Sequence, residues 1–312
     1  MATDTIAQDD LHLENSDAWD GAKQPFKASY GKLMMWYFLV SDAFTFAGFL
    51  IAYGAIRFSM PSWPVPDFVF KTFPFGGHTE GPLLFVTFMT FVLIISSVTM
   101  VRAVQEGHRE NQRGVVFWMF LTVIGGASFL ACQAWEWTNL ISVEHMSVTT
   151  NPFGTHVEAG TYLDDAHGVP YADGVEKETF VAGDGYLIHK GHHGHGGDHA
   201  GEAHGGEAHA GEAHADGTHD DWIKRRYMTE GGELKQQEFG PKAFGALFFF
   251  ITGFHGFHVF SGVVFLLIIL INVASGLYVK RKNGYEMVEK IGLYWHFVDL
   301  VWVFVFLVFY LL

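Results

Sequence analysis

AFGALFFFITGFHGFHVFSGVVFLLIILINVA, residues 243–274, runs 32 residues without an Asp, Glu, Lys or Arg. As a helix rising about 1.5 Å per residue it is longer than the roughly 30 Å of a bilayer's hydrocarbon core. Four more apolar runs of spanning length accompany it: Leu33–Ile56, bracketed by Lys32 and Arg57, then Leu83–Val101, Val115–Ile141 and Ile291–Leu312. A soluble chain of 312 residues has too little other protein to cover five such helices. The pattern predicts an all-α polytopic membrane protein with five transmembrane helices, three within residues 31–141 and two within 242–312.

Composition agrees. Hydrophobic residues make up 49% and charged residues 17%, against roughly 25% charged in an ordinary soluble domain. The net charge of −14 is concentrated in an acidic arm, residues 1–30, and in the long connection 142–241, which speaks against nucleic-acid binding. The lone Cys132 excludes an internal disulfide framework and a cysteine metal site. The first apolar run starts too late and is too long for a secretory signal. Lys23, Lys27, Lys32, Arg102, Arg109, Arg113, Lys280, Arg281, Lys282 and Lys290 fall on one side of the spans, and Arg57 and Lys71 on the other. The positive-inside rule then puts the N-terminus in the cytoplasm and the 142–241 loop and Leu312 outside.

The loop has two parts. Its first part, 142–188, contains Tyr, Phe, Val and Pro and is able to pack on neighbouring protein. The segment 189–221 is low in complexity: GEAH recurs from Gly201, Gly206 and Gly211, and nine of the eighteen histidines lie between His189 and His219. Imidazole suits transition metals, yet a segment without Leu, Val or Phe has no core to fix a geometry, so its composition is that of a solvated linker.

Ionisable groups at membrane depth are functional candidates. They are Asp42 in the first run, Glu136 in the third, His255 and His258 in the fourth, and His296 and Asp299 in the fifth. Counting from the cytoplasmic ends, Asp42 lies roughly 14 Å deep, His255 and Asp299 roughly 12 Å, and His258 and His296 roughly 8 Å. Glu136 sits near the outer end. His255 with His258, and His296 with Asp299, share helix faces at i, i+3. The histidines could ligate a haem or metal, relay protons, or form an interhelical polar network with Asp299. Equal depths favour direct packing of the fourth and fifth helices, with the four groups as mutual partners and Phe260 and Phe304 turned outward. The neighbours Gly253, Gly256, Ser261 and Gly262 suit close helix contact better than a cofactor pocket.

Several segments resemble the subunit III family of cytochrome c oxidases. ITGFHGFHVFSGVVFLL, from Ile251, and YWHFVDLVWVFVFLVFYLL, from Tyr294, are similar to the family's last two helices. FLVSDAFTFAGFLIAY, from Phe38, GPLLFVTFMTFVLIISSVTM, from Gly81, and the Gln133–Glu136 spacing in FLACQAWEW extend the likeness to all five runs in order. Three features depart from the pattern. The family's first two helices are missing, as in its shorter bacterial members. Asp42 stands where a Glu is usual. The 142–241 loop is far longer than the family's connection.

The resemblance implies a bacterial inner-membrane protein, part of a proton-translocating complex that reduces oxygen to water. No catalytic residue and no metal site are expected in this chain. Haem and copper are expected in partner subunits I and II, with membrane phospholipid bound and other respiratory complexes as further candidate partners. The implied role is to stabilise subunit I, hold lipid and support proton uptake. Subunit III of a quinol oxidase, or the accessory protein of nitric oxide reductase, is the alternative. A metal transporter baited by the histidine-rich loop is a third class, but the outer half offers only Glu136 as an ionisable group. Deleting His189–Asp221 is expected to leave assembly and oxygen consumption nearly intact; loss of the oxidase in membranes of the deletion strain would contradict the linker assignment.

Overall fold

The computed structural model describes residues 29–72, 83–163, 177–190, 222–278 and 284–312. The acidic arm up to residue 28, the histidine-rich stretch 191–221, and Lys280, Arg281 and Lys282 lie outside the described residues. Helices α1 (Tyr30–Ser59), α3 (Leu84–His108), α4 (Gln112–Ser142), α5 (Lys242–Ala274) and α6 (Glu286–Phe306) are the five expected spans, and α2 (Pro66–Val69) is a single short turn. A π-helical turn, Leu307–Leu311, continues α6.

Two helices overrun their apolar runs by five residues or more. α3 continues seven residues past Val101 to His108, and α6 begins five residues before Ile291. Hydropathy marks only the buried length, whereas Arg, Gln, Glu and Lys sustain a helix in water. The Asn111 side chain caps α4 by accepting from Gly114 N. Gly276, at φ +73, ends α5 in the left-handed conformation that glycine adopts without strain.

α6 is the centre of the bundle and packs on α1, α3 and α5, while α4 packs on α3 and α5. The α4 contacts depend on glycine. A Cβ on Gly125 would lie 2.5 Å from Ser96 Cβ, and one on Gly126 2.5 Å from Trp295 Cη2, so bare backbone here lets the helices meet. α1 is peripheral. It buries only Leu39, Phe46 and Tyr53, spaced by seven, which is one narrow seam along the helix. Its start is held to α6 by Lys32 Nζ–Glu289 Oε2 at 2.7 Å and by the Ser29 hydroxyl on Glu286.

The 142–241 connection carries strands that the all-α expectation did not include. Strands β2 (Gly160–Tyr162), β3 (Thr179–Phe180), β7 (Arg226–Thr229) and β8 (Leu234–Gln236) form one antiparallel sheet in the order β3-β2-β7-β8. β1 (Phe153–Thr155) pairs with β4 (Gly185–Leu187), and β5 (His189–Lys190) with β6 (Trp222–Ile223). This layer caps the end of the bundle where α1 finishes and α5 begins. Thr155 Oγ1 donates to Trp63 O at 2.7 Å, Asn151 Nδ2 to Pro241 O at 3.0 Å, and Trp63 Nε1 to the Tyr53 hydroxyl at 3.0 Å.

Its core is aromatic, with His156 in the middle. The imidazole stacks on Phe180 with ring centroids 3.6 Å apart. The Tyr162 hydroxyl accepts from Gln237 Nε2 at 3.0 Å and so donates to His156 Nε2 at 2.7 Å. Burial pushes His156 down to about 4 from an ordinary 6.5. The folded layer therefore prefers the neutral ring. That contribution to stability is complete above about 6.5 and is lost as pH falls through about 4. Near-ultraviolet circular dichroism of the protein in detergent should show the layer loosening over that acid range, and His156→Phe should remove the acid transition; a signal flat from neutrality to pH 4 would contradict it.

Candidate functional site

The polar groups of the bundle converge on two levels. Nearer the end that holds Tyr30 and Glu286, α1 meets α5 through a carboxylate and an imidazole. His258 Nε2 lies 3.1 Å from Asp42 Oδ2, each side chain 11% exposed. The approach is close but is not an aligned hydrogen bond. The other ring nitrogen, Nδ1, is 2.8 Å from Phe254 O. A backbone carbonyl only accepts, so Nδ1 carries a hydrogen. Nε2 and Oδ2 would then face each other as two lone pairs unless one more proton lies between them. The pair with that proton has two forms. It is either an imidazolium with a carboxylate or a neutral ring with a carboxylic acid, and both have zero net charge. Phe46 and Phe254 pack against the imidazole at centroid distances of 5.4 and 4.7 Å and screen it from solvent.

The four groups expected to satisfy one another are instead divided among different partners. α5 does pack on α6, and Phe260 and Phe304 are exposed as expected. However, His258 turns to α1, and His296 turns to α3, where its Nδ1 is 2.7 Å from Ser97 Oγ. His255 is fully buried among the rings of Phe46, Phe129 and Trp302, with no hydrogen-bond partner among the described residues. Asp299 Oδ1 likewise has none. Equal depth fixes the level of a side chain but not its direction, and each residue turns about 100° around a helix axis. Among the described residues, no three His, Cys, Asp or Glu side chains converge as a metal site would need.

The second level lies near the β-layer end. Glu136 on α4 is buried, accepts from Gln133 Nε2 at 3.2 Å, and accepts from the Tyr310 hydroxyl at 3.2 and 3.1 Å to its two oxygens. Gln133 was legible at i, i+3. Tyr310 was missed, although it falls at the same level on the last span. Hydroxyls of α3 were missed as well. Trp295 Nε1 donates to Ser96 Oγ at 3.1 Å and Trp302 Nε1 to Thr90 Oγ1 at 3.0 Å, and Thr99 and Thr122 bridge α3 and α4 at 2.8 Å. Tyr310→Phe takes one donor from a buried carboxyl and is expected to cost about 1–3 kcal/mol. Thermal unfolding in detergent should register this as a lower Tm, and an unchanged Tm would show that the contact does not matter.

The sequence profile described as cytochrome c oxidase subunit III matches residues 236–312, the segment of α5 and α6 that carries His255, His258, His296 and Asp299. The cytochrome c oxidase subunit 3 of Alkalihalophilus pseudofirmus is 22% identical over 292 residues, covering 90% of this chain and 85% of the relative. Proteins of that name from Artemia franciscana and Podospora anserina are 42% and 46% identical over 67 and 68 residues. Those two matches cover 22% of this chain and about a quarter of each relative, 25% and 24%. The profile lies on the last two helices, and the likeness to the Alkalihalophilus pseudofirmus protein runs through all five, so the chain is similar to cytochrome c oxidase subunit III over most of its length.

Proposed function

We propose that the chain is a non-redox subunit of a bacterial proton-translocating cytochrome c oxidase, held in the cytoplasmic membrane beside subunits I and II. On this proposal haem and copper belong to those partners, and this chain braces subunit I, holds lipid and keeps proton uptake efficient. The relatives' names favour cytochrome c over quinol as electron donor. The Lys and Arg bias places the N-terminal arm in the cytoplasm and the β layer outside.

The observation that carries the proposal is the Asp42–His258 pair. It sets a carboxyl 3.1 Å from an imidazole at membrane depth, on a helix whose remaining surface is open to a partner. The exposed aromatic and aliphatic side chains of α1, among them Trp36, Phe44 and Ile51, suit a membrane-embedded neighbour. A shared proton beside that neighbour is suited to buffering proton delivery and is not placed to carry out redox chemistry.

Two measurements test this. Affinity capture from mild detergent should bring haem- and copper-binding subunits with the chain, and capture without them would overturn the assignment. In the assembled oxidase, Asp42→Asn should leave the initial oxygen-consumption rate within a factor of about two while shortening the number of turnovers before activity decays. A group acting in the chemistry itself would instead lower the first turnovers by about a hundredfold or more.

A further inference from the structure

We propose that Arg102, Trp118 and Gln105 form a headgroup site on the α3–α4 face for the phosphate of an anionic phospholipid. Arg102 stands six residues before the end of α3, and Trp118 six residues after the start of α4. Both are therefore about 9 Å in from the helix ends. α3 has 25 residues, so it is about 37 Å long and overshoots a roughly 30 Å hydrocarbon core by a few ångströms at each end. The two side chains thus sit at the edge of the hydrocarbon, where the apolar run of α3 ends at Val101, level with lipid phosphates.

Arg102 is exposed on this face, and so are Val98, Val101 and Phe117 around it. Its guanidinium lies over the Trp118 ring, 5.5 Å from the centroid, and one N–H on Nη1 donates to Gln105 Oε1 at 3.0 Å. Ring and amide hold the group flat and fix its direction. Arginine keeps its charge at any relevant pH, yet no carboxylate pairs with Arg102 among the described residues. The acid closest in sequence, Glu106, is engaged by Arg109 Nη1 at 3.1 Å and Asn111 Nδ2 at 2.7 Å. At this boundary an unpaired cation attracts anionic lipid headgroups. The unused N–H edge of the guanidinium fits two oxygens of a phosphate, and the exposed Val98, Val101 and Phe117 offer acyl chains a continuous apolar surface. The level of the site, together with these flanks, favours a phospholipid over a carboxylate on a neighbouring subunit.

The test uses the chain purified with its partner subunits. In nanodiscs of mixed phosphatidylglycerol and phosphatidylcholine, with bromine on the acyl chains of one lipid at a time, tryptophan fluorescence should be quenched more by brominated phosphatidylglycerol. Trp118→Phe should remove that excess quenching. Lipid extracted from the complex should contain one equivalent less phosphatidylglycerol in Arg102→Met, with affinity for it down by about tenfold or more. Equal quenching by the two lipids in the unaltered protein overturns the proposal even where the variants do not assemble. Unchanged lipid content in an assembled Arg102→Met complex overturns it as well. Loss of a partner subunit with lipid content unchanged overturns it in favour of a protein carboxylate as the counter-ion.

Discussion

Two indole hydrogen bonds set the register of the whole bundle: Trp295 to Ser96 and Trp302 to Thr90, both from α6 to α3. Each hydroxyl both donates and accepts. Ser96 donates to Leu93 O at 2.7 Å and Thr90 to Val86 O at 2.8 Å, so each accepts an indole with its free lone pair. In hydrocarbon no water competes for these groups, and an unmet N–H there costs several kcal/mol. The seam fixes α6 in rotation as well as depth. With α6 fixed, Trp295 determines where Gly126 of α4 must come close, and Tyr310 is brought to Glu136. α1 lies at the periphery, along its single buried stripe.

That hierarchy explains what was legible in the sequence. Span number and order follow from length and hydropathy, quantities that each segment carries alone. Partner identity does not. Thr90, Ser96, Ser97 and Thr99 look ordinary within FVTFMTFVLIISSVTM, because the groups that use Ser96, Ser97 and Thr90 lie about 200 residues away on α6. The i, i+3 spacings identified which residues share a face, and that much holds for Gln133 with Glu136. Matching depths between helices without knowing their rotation led to a His258–His296 level that exists in height but not in contact. The β layer was hidden for a different reason. Its strands are two to four residues long, too short to show an alternating pattern, and their pairing brings together residues from both sides of the histidine-rich segment.

The layer also bears on how the bundle is held. Thr155 on the Trp63 carbonyl and Asn151 on the Pro241 carbonyl connect it to the chain just after α1 and just before α5. These contacts add to the polar bonds between the helices themselves, such as Lys32–Glu289 and Trp295–Ser96. α1 gains most from this, since its own buried stripe is narrow and Tyr53, at the end of that stripe, accepts from Trp63.

The closeness of Asp42 and His258 has an electrical consequence for any proton they hold. With one proton between its two members the pair carries no net charge, so the transmembrane voltage exerts no net force on the pair as a whole. Moving the proton from one partner to the other shifts charge by at most the 3.1 Å that separates them, about a tenth of a roughly 30 Å barrier. With about 2.3 kcal/mol per elementary charge per 100 mV across the full membrane, that shift is worth at most about 0.2 kcal/mol per 100 mV, less than thermal energy. The proton's position within the pair is therefore governed by local chemistry and stays nearly indifferent to whether the membrane is energised.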